Sequence, residues 1–122
     1  MSNYYEPPEE LEAEDRDYIR ALFSMKEELE AVAWYHQRVA TCSDEQLKEV
    51  LAHNRNEEME HATMLMEWLR RSMPGWNEQM SKYLFSTAAL TEIETEGEGE
   101  VKTTKAERAG ASDLGIGSLK ER

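Results

Sequence analysis

Between Pro8 and Pro74 the chain contains neither glycine nor proline. A stretch of that length without breakers favours long helices, and the spacing of its apolar residues agrees. Tyr18, Leu22, Met25, Leu29, Val32, His36 and Val39 recur at intervals of four and three. Ala21, Met25, Glu28, Val32, Tyr35 and Val39 form an adjacent stripe, so this helix carries a face wide enough to meet more than one neighbour. Pro7 and Pro8 suit its entry, where the first N–H groups lack partners in any case. The helix is expected to run to about Ala40. Thr41-Cys42-Ser43 reads as a short connection, and Ser43 with Gln46 matches a capping box for a second helix from Asp44 to Ser72. So short a loop makes the two helices antiparallel neighbours.

Arg70 and Arg71 fall in the last turn of the second helix, where cations complement the dipole, and Pro74-Gly75 ends it. Trp76 to Phe85 predicts a short third helix, with Trp76, Met80, Tyr83 and Leu84 on one side. The expected fold class is therefore all-α: a two-helix antiparallel hairpin plus a short C-terminal helix over residues 9–86, after an N-terminal extension of residues 1–8. From residue 87 to 112 Thr, Glu, Gly, Lys and Ala dominate, a composition that buries too little apolar area to fold and reads as a disordered linker. Residues 113–122 form a tail in which Leu114, Ile116 and Leu119 are spaced by glycine and serine, either a few stray apolar residues or a tethered docking peptide that extends into a groove on a partner.

A formal net charge of −12 argues against phosphate backbones and anionic membranes as partners and is compatible with attracting cations. A single cysteine, Cys42, rules out an internal disulfide and a cysteine-based zinc site, and reads as a loop thiol in a reducing cytoplasm. The N-terminus, Met1 to Glu10, has no basic-then-apolar order, so no signal peptide is expected. No apolar run approaches the roughly 20 residues needed to span a bilayer.

The chemistry sits in the second helix. Leu47, Leu51, Asn54, Glu58, His61, Leu65 and Trp68 form its seam, and Glu58 and His61 stand one turn apart on it. A carboxylate and an imidazole at that spacing suit one transition metal. A rival register remains open, with Val50, Asn54, Glu57, His61, Met64 and Trp68 as the seam. On the first helix Glu28 is a carboxylate on an apolar stripe, costly there unless paired or metal-bound. Di-iron carboxylate bundles use a Glu from each of two helices and Glu-x-x-His from each of the other two. Glu28, Glu58 and His61 are half that set, so two chains packed as a four-helix bundle complete it, and the order of ligands favours Glu58 over Glu57. Two long helices and one short one also make a thin core, for which oligomerisation is the usual remedy. The ligand set suits Fe(II) or Mn(II), and two metals about 3.5–4 Å apart suit O₂ between them.

Met25-Lys26-Glu27-Glu28-Leu29-Glu30-Ala31-Val32-Ala33-Trp34-Tyr35 and Leu51-Ala52-His53-Asn54-Arg55-Asn56-Glu57-Glu58-Met59-Glu60-His61 together resemble the encapsulated ferritin family. The likeness continues through Glu67-Trp68-Leu69-Arg70-Arg71 and Tyr83-Leu84-Phe85, and the tail from Asp113 to Lys120 looks like that family's encapsulin-targeting peptide. The resemblance implies a ferroxidase without a mineral-holding shell of its own. Its protomers dimerise into a ferritin-like four-helix site around a di-iron centre and assemble into a ring, a pentamer of dimers. It rides as cargo inside a cytoplasmic encapsulin nanocompartment. By position, the resemblance makes Glu28, Glu58 and His61 the iron ligands, puts Tyr35 beside them, and assigns Glu27, Glu30 and Trp34 to a metal-entry region, for calcium or another divalent ion. Leu114, Ile116 and Leu119 become the encapsulin-docking residues. Ala33 supplies no oxygen where a further acidic ligand would stand, and His36 and His53 are read as non-ligands.

Two other readings compete with the ferroxidase. A rubrerythrin-like di-metal peroxidase requires a second redox centre, and the absence of a Cys-x-x-Cys pair counts against it. A non-catalytic metal-binding cargo or scaffold protein would use the same residues to hold a dimer together.

Overall fold

The computed structural model describes residues 4–101, and the fold among them is all-helical. A 3₁₀ turn at Pro8–Glu10 precedes α1 (Ala13–Thr41), α2 (Glu45–Ser72), α3 (Trp76–Tyr83) and α4 (Leu90–Val101). The two prolines thus open a 3₁₀ turn, and α1 begins five residues beyond Pro8. The guanidinium of Arg16 holds that turn against the helix by donating from Nε to the Pro8 carbonyl at 2.9 Å. Glu14 and Asp15 lie in the first turn of α1 and favour its positive end.

The chain divides into two units after Met73. In the first, α1 and α2 pack antiparallel along their length. Tyr18 and Ala21 on α1 and Ala62 and Leu69 on α2 are its buried residues, Leu69 with no exposed surface at all. The connection is as short as its sequence predicts, but the cap differs from the expected Ser43–Gln46 box. Asp44 is the N-cap, and its carboxylate accepts from the Leu47 N–H at 2.8 Å. A charged acceptor makes the stronger bond to an unpaired helix donor. At the other end of the hairpin the Tyr18 hydroxyl lies 3.0 Å from the Ser72 carbonyl, one of the last acceptors of α2 that the helix itself leaves unpaired. Glu67 binds both Arg70, through a two-bond fork at 2.6 and 2.7 Å, and Arg71 at 2.6 Å. The hydrogen bonds from Arg70, then those from Arg71, hold the Glu67 carboxyl at about 2, well below the usual range.

Two helices cannot cover each other's apolar faces. Leu29, Trp34, Leu47, Val50, Met59 and Met64 remain exposed, Met64 by 64%. No described helix is long and apolar enough to cross a membrane.

In the second unit Gly75 adopts φ +104°, a conformation open to glycine and strained for other residues, and starts α3. Phe85, just beyond α3, is the one non-glycine described residue with positive φ. The tract expected to be a disordered linker over 87–112 instead contains α4 from Leu90, touching α3. Leu90 and Ile93 stand one turn apart, and the Ala89 carbonyl accepts from the N–H groups of Glu92 and Ile93. Glutamate is a good helix former, so a composition too polar for a core still supports a local helix. The rest of the tract, and Leu114, Ile116 and Leu119, which are expected to dock, lie outside the described residues.

Candidate metal centre

Glu28 comes from the middle of α1, and Glu58 and His61 from the middle of α2. Antiparallel packing across a three-residue connection brings these positions level. One ligand atom from each lies within 4.8 Å of the others, the one such group of three His, Cys, Asp or Glu side chains among the described residues. His61 Nδ1 stands 3.4 Å from Glu28 Oε2 and 3.5 Å from Glu58 Oε2. The carboxylates are about a quarter exposed, 25% for Glu28 and 24% for Glu58.

Glu28 Oε2 is buried and accepts no hydrogen bond. The Glu28 carboxyl is pushed up from its ordinary value, first by its hydrogen-bonding contact with Glu58, then by burial and by the Glu58 charge, while His61 pulls the other way. Burial draws the His61 imidazole down, but Glu28 and then Glu58 more than offset it, so its pKa lies above the ordinary histidine value. Two carboxylates and one imidazole converge on a point where an orphaned oxygen awaits a partner. A hard divalent cation that accepts nitrogen satisfies all three donors, which is the preference of Fe(II) and Mn(II). The donor set fits iron.

The two registers of α2 separate cleanly. Glu58 turns toward Glu28 and His61, whereas Glu57 turns toward His53 Nε2 at 2.8 Å. His36 is occupied elsewhere, 3.1 Å from an Arg55 nitrogen across the hairpin. Glu27 and Glu30 are exposed on α1 and join no second group of three such donors among the described residues. Trp34 is exposed, and the Arg38 guanidinium lies over both its ring, at 6.0 Å, and the Tyr35 ring, at 5.2 Å. The His53–Glu57 pair has i,i+4 spacing and was open to a sequence reading; the His36–Arg55 contact joins residues 19 apart on different helices and carries no such signal.

Comparison with known proteins gives the family. The EncFtn-like family model matches residues 3–87, which include all of the hairpin and the three clustered donors. The chain belongs to the EncFtn-like family. Relatives of this EncFtn-like chain include a protein of Thermotoga maritima described as a ferritin-like protein, 56% identical over 95% of this chain and 96% of the relative. A second, an encapsulated ferritin-like protein of Rhodospirillum rubrum, is 47% identical over 95% of this chain and 86% of its own. Among solved structures, a Nitrosomonas europaea protein of 50% identity superposes with a TM-score of 0.70, covering 73% of this chain and 98% of that one. The EncFtn-like chain is thus an encapsulated ferritin by family, with a ferritin-like helical fold.

Proposed function

We propose that this protein is a ferroxidase, oxidising Fe(II) to Fe(III) with O₂ at a di-iron site shared between two copies of the chain. The observation that carries the reading is the convergence of Glu28, Glu58 and His61, with Glu28 Oε2 buried and without a hydrogen bond. Three donors are too few to enclose two metal ions. Two copies related by a two-fold axis supply two Glu and two Glu-x-x-His sets, the full complement of a di-iron carboxylate bundle. The exposed apolar residues of the hairpin support the same pairing.

The substrate ions supply one electron each to O₂. The chain's own residues prepare that event. A cation bound there favours the charged form of Glu28, whose carboxyl is pushed up by Glu58 and by burial, so binding releases a proton from it. His61 presents Nδ1 to the same point, so the ring is held by its position on α2 with Nδ1 as the donor atom. Glu27, Glu30 and Trp34 form the approach to the centre, where calcium or another divalent ion is held, and Tyr35 lies beside it.

The dimers assemble into a ring, a pentamer of dimers, and the ring is cargo of a cytoplasmic encapsulin shell that stores the mineral. The name of the Rhodospirillum rubrum relative supports encapsulation. The apolar residues Leu114, Ile116 and Leu119 supply the docking contacts. Oxygen consumption on adding Fe(II) to the purified protein tests the activity; iron binding without oxygen uptake would make the protein a scaffold.

A further inference from the structure

One buried titratable side chain among the described residues lies outside the candidate metal centre. Tyr18 is almost wholly buried, and its ring centroid is 6.3 Å from that of Trp68, the planes inclined at 60°. Its hydroxyl donates to the Glu14 carboxylate, one turn earlier on α1, and also lies 3.0 Å from the Ser72 carbonyl. A phenol has a single proton to donate, and Glu14 is the nearer acceptor. Trp68 lies seven residues beyond His61, two turns along nearly the same face of α2, or about 10 Å along the axis. An indole, a phenol and a carboxylate therefore stand in that order leading away from the candidate metal centre.

We propose that Trp68, Tyr18 and Glu14 form a relay that drains one-electron oxidising equivalents from the metal centre. The proposal rests on the ferroxidase reading for its oxidant, which is of the hydroxyl-radical class, formed when Fe(II) reduces peroxide. The oxidant takes one electron from the Trp68 indole and is reduced, leaving an indole radical cation. Tyr18 returns an electron to Trp68, and in the same step its hydroxyl proton passes to Glu14. The products are a neutral indole, a neutral phenoxyl radical and a protonated Glu14, so charge and atoms balance. Prior ionisation of the phenol is not available as a route. Its hydrogen bond to Glu14, then burial, then the Glu14 charge, push its pKa up to about 12. Electron loss is therefore coupled to proton transfer, and the carboxylate already bonded to the hydroxyl is the acceptor. The exposed tyrosine Tyr5 has none of this arrangement.

The relay is testable without iron. Full-length, metal-free protein is photo-oxidised with a ruthenium tris-bipyridine sensitiser and a cobalt(III) acceptor, and radicals are read by electron paramagnetic resonance. The expected result is a hydrogen-bonded phenoxyl signal whose formation slows in D₂O. It is lost in Tyr18→Phe and strongly reduced in Trp68→Phe and in Glu14→Gln. Glu14 is exposed, so Glu14→Gln is expected to fold even if loss of the Tyr18 hydroxyl weakens the hairpin. An unchanged signal in Tyr18→Phe overturns the assignment. Unchanged formation in both Trp68→Phe and Glu14→Gln overturns the relay. The same samples, mixed with Fe(II) and hydrogen peroxide and freeze-quenched, are expected to give the same radical, and its absence there breaks the link to the metal centre. Fe(II) oxidation by O₂ is measured separately. Intact oxidation with no radical fails the relay alone, and an intact photochemical radical without Fe(II) oxidation fails the ferroxidase reading alone.

Discussion

At the scale of single residues, the separation of Glu57 from Glu58 decides what the site can be. Both lie within reach of His61 by spacing, but Glu58 joins the cluster and Glu57 pairs with His53. Glu57→Ala is therefore expected to leave the initial rate of Fe(II) oxidation within about twofold of wild type. Glu67 makes a second, independent prediction. Its pKa in the folded protein is about 2, so its contribution to stability is fully present above the unfolded carboxyl range and is lost as pH falls through that range toward 2. Glu67→Gln should lower the melting temperature at pH 6 and converge with wild type near pH 2. Because Glu67 is 38% exposed, solvent and salt weaken the effect, and it should shrink further in high salt. The Glu-x-x-His pair and Glu28 were readable from spacing because helix geometry is local. Their mutual approach was readable only through the short loop, which fixed the antiparallel register.

At the scale of elements, the hairpin rests on few buried side chains. Leu69→Ala removes the one large side chain with no exposed surface among the described residues and is expected to cost about 2–5 kcal/mol, measured by denaturant unfolding. Asp44→Ala removes the N-cap of α2 and is expected to cost about 1 kcal/mol. The cap shows where sequence reasoning falls short. Ser43 and Asp44 are both good capping residues, and one residue of chain geometry chose between them. The tract after residue 86 shows a different failure. Composition reports whether a segment can build a core, and this one cannot. It does not report whether Leu90 and Ile93, one turn apart among helix-forming glutamates, will wind locally.

At the scale of the whole molecule, an uncovered apolar face and a half-complete donor set point the same way. Sedimentation should give a dimer or a larger assembly of dimers. Met64→Glu, which puts a charge on that face one turn from His61, is expected to shift it toward monomer and slow Fe(II) oxidation with it. An assembled Met64→Glu protein with full activity would place the interface elsewhere. Deleting residues 113–122 is expected to abolish co-purification with an encapsulin shell while leaving the oxidation rate of the free protein unchanged. The expectation of pairing rests on an apolar stripe wider than one neighbour and on a donor set that is half of a di-iron complement, both counted along a single chain.

The central claim is tested most directly by the initial rate of Fe(II) oxidation in air for wild type and for Glu58→Ala. A di-iron site built on Glu28, Glu58 and His61 predicts a fast wild-type rate that falls to the buffer-only rate in the variant. Equal fast rates would move the site away from this helix pair, and equal rates at background would remove the enzyme altogether.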